Sequence, residues 1–265
     1  MVEQIGNQVI LWKAVTGILG AAIPIAALLV WKKKDMSIRP AVVGAITFFV
    51  FSQILEGIPK ALFFLIDSGV SRYIWAHAWA YVLIGCLLAG IFEEVGRYVA
   101  FRFFLKKQRD RRDAITYGIG HGGIESILFL TLGAFSSISL IFVVNGGLLE
   151  QSLTGMSAAQ LQAVEQQVAA LAGYGPAGML VDVFERMVAI TLHISLSVIV
   201  FRAVECKKGS YLVLAIVLHA LFDVPAALYQ CGVTGMGLTE VWLFVGAIGC
   251  VYVATKFWKK ENKEE

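Results

Sequence analysis

Seven stretches of this chain, at about 9–31, 41–66, 74–105, 114–144, 178–204, 210–230 and 238–258, are apolar over the ~20 residues that a helix needs to cross ~30 Å of hydrocarbon. Lipid offers no partner for backbone N–H and C=O groups, so this many apolar runs leave helices as the natural solution. Composition agrees. Of the 265 residues 58% are hydrophobic and only 15% charged, against about a quarter charged in a soluble domain, and the mean hydropathy is +0.75. The expected fold is an all-α, polytopic membrane helix bundle of about seven transmembrane helices, forming a single transmembrane domain over 1–265.

The charges between the runs set an orientation. Lys32, Lys33, Lys34 and Arg39 follow the first run, and Lys106, Lys107, Arg109, Arg111 and Arg112 follow the third. Lys207 and Lys208 follow the fifth, and Lys256, Lys259, Lys260 and Lys263 follow the seventh, whereas the alternate connections hold almost no basic residue except Arg72. The positive-inside rule then predicts the N-terminus outside and the C-terminus in the cytoplasm of a cell membrane, here a bacterial plasma membrane. The N-terminal Met1-Val-Glu-Gln lacks a basic region before its apolar run, so a retained first span is expected instead of a cleaved signal peptide. No basic face suggests nucleic acid. Cys86, Cys206, Cys231 and Cys250 lack C-x-x-C spacing and read as small hydrophobes within helices.

The longest connection, about 145–176, is expected on the outer side. Ser157 with Gln160 resembles a capping box, and Leu161, Val164, Val168 and Leu171 recur at helical spacing before Gly173, so a short amphipathic helix resting on the bundle or the headgroups is expected. Tyr73, Trp75, Trp79 and Tyr81 read as an aromatic belt at the membrane interface, with His77 among them.

Ionisable side chains inside a span cost several kcal/mol unless they find partners in the protein interior. Three spans carry such residues four apart, on one helix face: Glu93-Glu94-Val-Gly-Arg97 in the third, His121-Gly-Gly-Ile-Glu125 in the fourth and His219-Ala-Leu-Phe-Asp223 in the sixth. The fifth adds His193. Counting inward from the basic clusters at 1.5 Å per residue puts Glu93, His121, His193 and His219 at one depth, roughly 13–20 Å from the cytoplasmic edge. Four helices meeting at one level predict one site. Asp182 with Arg186, higher in the fifth span, reads as a structural ion pair, and Glu56 beside Pro59 and Lys60 reads as a possible lining of an access path. Gly118-x-Gly120-x-x-Gly123 matches a dinucleotide fingerprint but follows no strand. Gly118 and Gly122 read instead as a small-residue face that lets a neighbouring helix come close to His121.

A carboxylate beside a histidine can take a proton from water, and a second histidine with a polar partner can hold an oxyanion. Imidazoles with carboxylates are equally suited to zinc, although no H-E-x-x-H occurs. The order E-E-x-x-R, aromatic-x-x-x-H and H-x-x-x-D, here Glu93-Glu94-Val-Gly-Arg97, Tyr117-Gly-Ile-Gly-His121 and His219-Ala-Leu-Phe-Asp223, resembles the CPBP superfamily of intramembrane proteases, which includes the type II CAAX prenyl endopeptidases, PrsW and the YhfC family. The glycine-rich fourth helix with Glu125, and the additional His193, resemble YhfC proteins in particular.

The resemblance implies an intramembrane endopeptidase acting on a membrane-embedded or membrane-associated peptide or protein. Glu93 with His121 would activate water, His219 with Asp223 would stabilise the oxyanion, and Arg97 would orient Glu94 or Glu93. Asp223 stands where the CAAX peptidases carry asparagine. With His193 and Glu125 it leaves two alternatives open: no cofactor, or a divalent metal such as zinc held by His121, Glu125, His193 and His219. A proton-coupled transporter or a membrane scaffold would use the same buried groups differently, as a relay or as interhelical glue.

Overall fold

The computed structural model describes residues 4–31, 36–108, 110–155 and 158–259. Lys32, Lys33, Lys34, Arg109, Ser157, Lys260 and Lys263, which carry part of the charge pattern and of the capping box, lie outside the described residues, as does the side chain of Gln160. Among the described residues there is no strand, and seven helices are long and apolar enough to cross a membrane. These spans are Asn7–Trp31, Arg39–Leu65, Ala78–Phe104, Arg111–Asn145, Pro176–Glu205, Gly209–Gln230 and Met236–Lys259. Apolar length therefore locates each span to within a few residues. The exception is the third, where a separate short helix, Gly69–Ala76, takes residues expected to open the span.

Ser68 caps that short helix, accepting from Ser71 N–H while the Ser71 hydroxyl accepts from Ser68 N–H. His77 comes next, half-buried, with its ring stacked on Tyr73 at 4.2 Å and Nδ1 2.8 Å from the Tyr73 carbonyl oxygen. It takes its place in the aromatic group, as expected. Wide turns, in which an N–H bonds the carbonyl five residues back, interrupt three spans at Phe49–Leu55, Ala61–Leu65, Ala100–Phe104 and Ile127–Leu132.

Contacts group the chain into two compact units, each described on its own. The first is Met1–Ile25 with Ser126–Arg186. Its core gathers Ile5, Val9, Ile141 and Val144 with Val168 and Leu171 of the helix Ala158–Ala172, so the expected amphipathic helix forms and buries its apolar face. A polar group joins its spans. Tyr174 Oη donates to Asp182 Oδ2 at 2.6 Å and lies 2.7 Å from the Thr16 hydroxyl, while Lys13 Nζ sits 3.5 Å from Asp182 and 3.4 Å over the Tyr174 ring. Burial and the carboxylate beside it push the Tyr174 hydroxyl up from its ordinary range, which keeps it a donor. Asp182 thus has partners on the first span as well as near its own helix.

The second unit, Ala26–Glu125 with Met187–Glu265, is built round the fifth span. From Val188 to Val204 nearly every side chain of that helix is buried, His193 among them. Phe101, Tyr117, Leu196, Ile199, Phe201, Ala215 and Leu243 fill the surrounding core.

Candidate active site

The polar residues of the second, third, fourth, fifth and sixth spans converge inside this second unit, and glycines allow the approach. A Cβ built on Gly118 would lie 2.5 Å from Ile194 Cα, and one on Gly120 only 2.0 Å from the Ala41 carbonyl oxygen. The fourth span is therefore pressed against the fifth on one face and the second on the other, with His121 between the two contacts. Gly122 adds to the first, facing Ile190 Cα at 3.0 Å. The close approach expected of Gly118 and Gly122 is present, and Gly118 and Gly120 of the fingerprint-like run are packing residues.

One oxygen is the hub. Glu93 Oε2 lies 3.0 Å from His121 Nε2, 3.9 Å from His193 Nδ1 and 3.9 Å from His219 Nε2. The His121 and His193 rings stand 4.7 Å apart, centroid to centroid, and those of His193 and His219 5.6 Å apart. The residues that share a depth by helical counting are thus in contact. All three rings and Glu93 are buried.

The opposite side of each ring is held differently. His193 Nε2 meets Glu125 Oε2 at 2.6 Å, and His219 Nδ1 meets Glu94 Oε1 at 2.8 Å. His121 Nδ1 is buried with no hydrogen-bond partner, while Phe48 packs edge-on against the ring at 5.1 Å. Arg97 fixes the His193 tautomer. A guanidinium only donates, and Nη2 approaches His193 Nδ1 at 3.1 Å while Nη1 donates to the His193 carbonyl oxygen at 3.1 Å. Nδ1 must therefore carry the lone pair and Nε2 the hydrogen that Glu125 accepts.

Several pairings differ from the one-turn spacing read in the sequence. Glu93 and Arg97 are one turn apart, yet Arg97 Nη2 pairs with Glu94 Oε1, at 3.4 Å. His121 and Glu125 share a face, yet His121 turns to Glu93 and Glu125 to His193. Glu125 consequently stands behind His193, on the nitrogen away from the hub, and not among the inward donors expected of a metal ligand. His219 and Asp223 do approach, with Nε2 3.6 Å from Oδ2. Asp223 is the accessible member, its side chain 33% exposed.

Three residues of the second span complete the cluster. Ser52 Oγ lies 3.2 Å from Glu93 Oε1 and 3.3 Å from Glu56 Oε2, and Lys60 Nζ pairs with Glu56 Oε1 at 2.7 Å. Glu56 is fully buried. Ser52 gives no signal in the sequence, being a lone serine in an apolar run. Glu56 reads there only as a possible lining residue.

The donors fit a divalent cation. Glu93, His121 and His193 offer one atom each, all within 4.8 Å of one another, and His219 Nε2 borders the same space. The Glu125 carboxylate behind His193 orients that ring's inward lone pair, as behind metal-bound histidines generally. Arg97 Nη2, which meets the His193 lone pair, has Glu94 as a second partner to keep when an ion takes Nδ1. Mixed imidazole and carboxylate donors suit zinc.

Comparison with known proteins identifies a family. Residues 19–243 match the family described as YhfC intramembrane metalloprotease. The chain belongs to the YhfC intramembrane metalloprotease family. It is also 37% identical over 232 residues to the uncharacterized membrane protein YhfC of Bacillus subtilis (strain 168), covering 86% of this chain and 88% of that one. No solved structure matches. As a YhfC-family chain with seven spans it is a multi-pass membrane protein, and the Bacillus relative accords with a bacterial plasma membrane.

Proposed function

We propose that the protein is an intramembrane endopeptidase that hydrolyses a peptide bond in a membrane-associated substrate. The observation that carries the reading is the hub: Glu93 Oε2 ringed by His121 Nε2, His193 Nδ1 and His219 Nε2, inside spans where such groups are expensive without a task. Glu93, His121 and His193 would hold the metal that the family description implies. A divalent ion such as zinc supplies, when bound, a water whose pKa is lowered to about 7 and a Lewis acid for the scissile carbonyl.

The protein's own groups do the rest. Asp223, more exposed than Glu93, Glu94 or Glu125, takes the proton of the attacking water and returns it to the leaving nitrogen as the C–N bond breaks. His219, anchored at Nδ1–H by Glu94 and carrying a second proton as an imidazolium, turns Nε2–H to the space between Glu93 and Asp223 and from there donates to the developing oxyanion. Glu125 and Arg97 hold His193 in one tautomer. Glu94, wholly buried between Arg97 and His219, orients and does not touch substrate.

A metal-free variant of the same chemistry has one observation in its favour, the direct 3.0 Å hydrogen bond between His121 and Glu93. Both versions are tested on the purified full chain in lipid nanodiscs, with reconstituted single-span bacterial peptides as substrates and mass spectrometry of the new termini. Cleavage is expected in the wild type and absent in Glu93→Gln, His121→Ala and His219→Ala proteins that still insert. Chelator-sensitive cleavage with bound zinc supports the metal version, and chelator-resistant cleavage the dyad. Undiminished cleavage in all three variants would overturn the proposal.

A further inference from the structure

We infer that Ser52, Glu56 and Lys60 of the second span form a positioning device for Glu93, holding its Oε1 so that Oε2 alone faces the histidines. The inference rests on Glu93 being the pivot of the proposed site, and it assigns work to a span that none of the sequence motifs includes.

The two oxygens of Glu93 have separate partners. Oε1 is met by the Ser52 hydroxyl at 3.2 Å, while Oε2 is the atom nearest His121, His193 and His219. A carboxylate pinned at one oxygen offers the other as a single donor, whereas a free one rotates and can offer both. Ser52 is the pin.

Its hydroxyl is diverted from the usual use of a hydroxyl in a span. Thr47 donates to the Val43 carbonyl, Thr191 to Met187, Ser195 to Thr191 and Ser197 to His193, each four residues back on its own helix. Ser52 instead reaches across to the third span. Its wide turn, Phe49–Leu55, lies against that span at Gly96, where a Cβ would sit 2.5 Å from Phe51 Cγ. Only a glycine allows this approach, and the approach brings Ser52 to Glu93.

A hydroxyl has one proton, and Ser52 has two carboxylates beside it. Lys60 resolves the competition. Its ammonium pairs with Glu56 Oε1 at 2.7 Å, giving the buried Glu56 a partner of its own, and Gln53 Nε2 approaches Ser52 Oγ at 3.4 Å as a donor. The Ser52 proton is then left for Glu93. Lys60 is about half exposed and Glu56 fully buried, so the device runs from the edge of the second span into the site.

The experiment uses Co²⁺ as the probe on the full chain in nanodiscs. In Ser52→Ala, Co²⁺ affinity is expected to fall by about 10- to 100-fold, the usual effect of removing a group behind a metal ligand, and the visible spectrum to change as Glu93 offers both oxygens. Ser52→Thr, which keeps the hydroxyl, is expected to restore both. Lys60→Met, at a half-exposed position, should move the same readouts in the same direction by less. An unchanged affinity and spectrum in Ser52→Ala, equal damage in Ser52→Ala and Ser52→Thr, or no movement in Lys60→Met would each overturn the device.

A second readout needs no metal. The infrared carboxylate band that disappears in Glu93→Gln should shift in metal-free Ser52→Ala and stay in place in Ser52→Thr; a band unmoved in Ser52→Ala refutes the inference. Wild-type protein that binds neither Co²⁺ nor Zn²⁺ would count against the metal reading alone, and the infrared band would then decide the role of Ser52.

Discussion

Replacing Glu125 with alanine tests the proposed logic at a residue that touches neither substrate nor ion. His193 is buried, and its Nε2–H has Glu125 as acceptor at 2.6 Å. Without the carboxylate the ring can respond in two ways. It can keep its tautomer and bury an unpaired N–H, at about 1–3 kcal/mol. Or it can move the proton to Nδ1, where Arg97 Nη2 waits at 3.1 Å with a donor of its own, so two donors would face each other. Arg97 closes the second route, so the first cost falls on the folded protein with or without an ion and lowers its stability, while the bound ion loses in addition the donor strength that the carboxylate lends to Nδ1. The lost stability should appear as a lower melting temperature and the weaker donor as a Zn²⁺ affinity lower by about 10- to 100-fold, the usual effect of removing a group behind a metal ligand. Glu125→Gln, whose side-chain carbonyl still accepts from Nε2–H, should lose much less. The measurement is competition for Zn²⁺ against a chromophoric chelator on purified protein, alongside a thermal melt. Glu125→Ala with wild-type affinity, or Glu125→Gln as weak as Glu125→Ala, would refute the tautomer argument.

Other outcomes depend on packing and charge. Gly120→Ala should fail to accumulate as folded protein, because its Cβ meets the Ala41 backbone at 2.0 Å, whereas Gly133→Ala, with nothing within 4 Å, should gain about 0.5–1 kcal/mol in a detergent melt. Leu171→Ala should destabilise the first unit by about 2–3 kcal/mol, seen as faster proteolysis of the helix Ala158–Ala172, because Leu171 is buried against Ile5, Val9 and Ile141. A green fluorescent protein fused after residue 265 should fluoresce if the basic connections face the cytoplasm, as the positive-inside rule predicts; a periplasmic reporter active there would reverse the topology.

The spans and the shared depth of Glu93, His121, His193 and His219 are legible in the sequence because both depend on one number, the rise of a helix per residue. Which side chain meets which is not. His121 and Glu125 lie on one face, yet each finds its partner on another helix, since interhelical distance and not helical register decides the contact. Glu93 and Glu94 are adjacent and chemically identical. Only the packing of the third span against the sixth gives Glu94 to His219 Nδ1 and leaves Glu93 at the centre. Ser52 is invisible for a further reason: its turn is wider than an α-helix, so a projection at ~100° per residue misplaces every later side chain of the span.

That wide turn also makes the second span sensitive to length in a way that side-chain chemistry does not express. A π-turn holds one residue more than the α-turn it replaces. Deleting a single residue within Phe49–Leu55 lets the helix relax to ordinary winding without breaking it, and the span still crosses the bilayer. What lies beyond the deletion keeps its direction, because the residue lost is the surplus one, but Ser52, inside the segment, is carried round relative to Glu56 and Lys60. Ser52, Glu56 and Lys60 no longer point as a set at the third span. A protein shortened by one apolar residue would be inserted and as hydrophobic as before, with its central glutamate unheld.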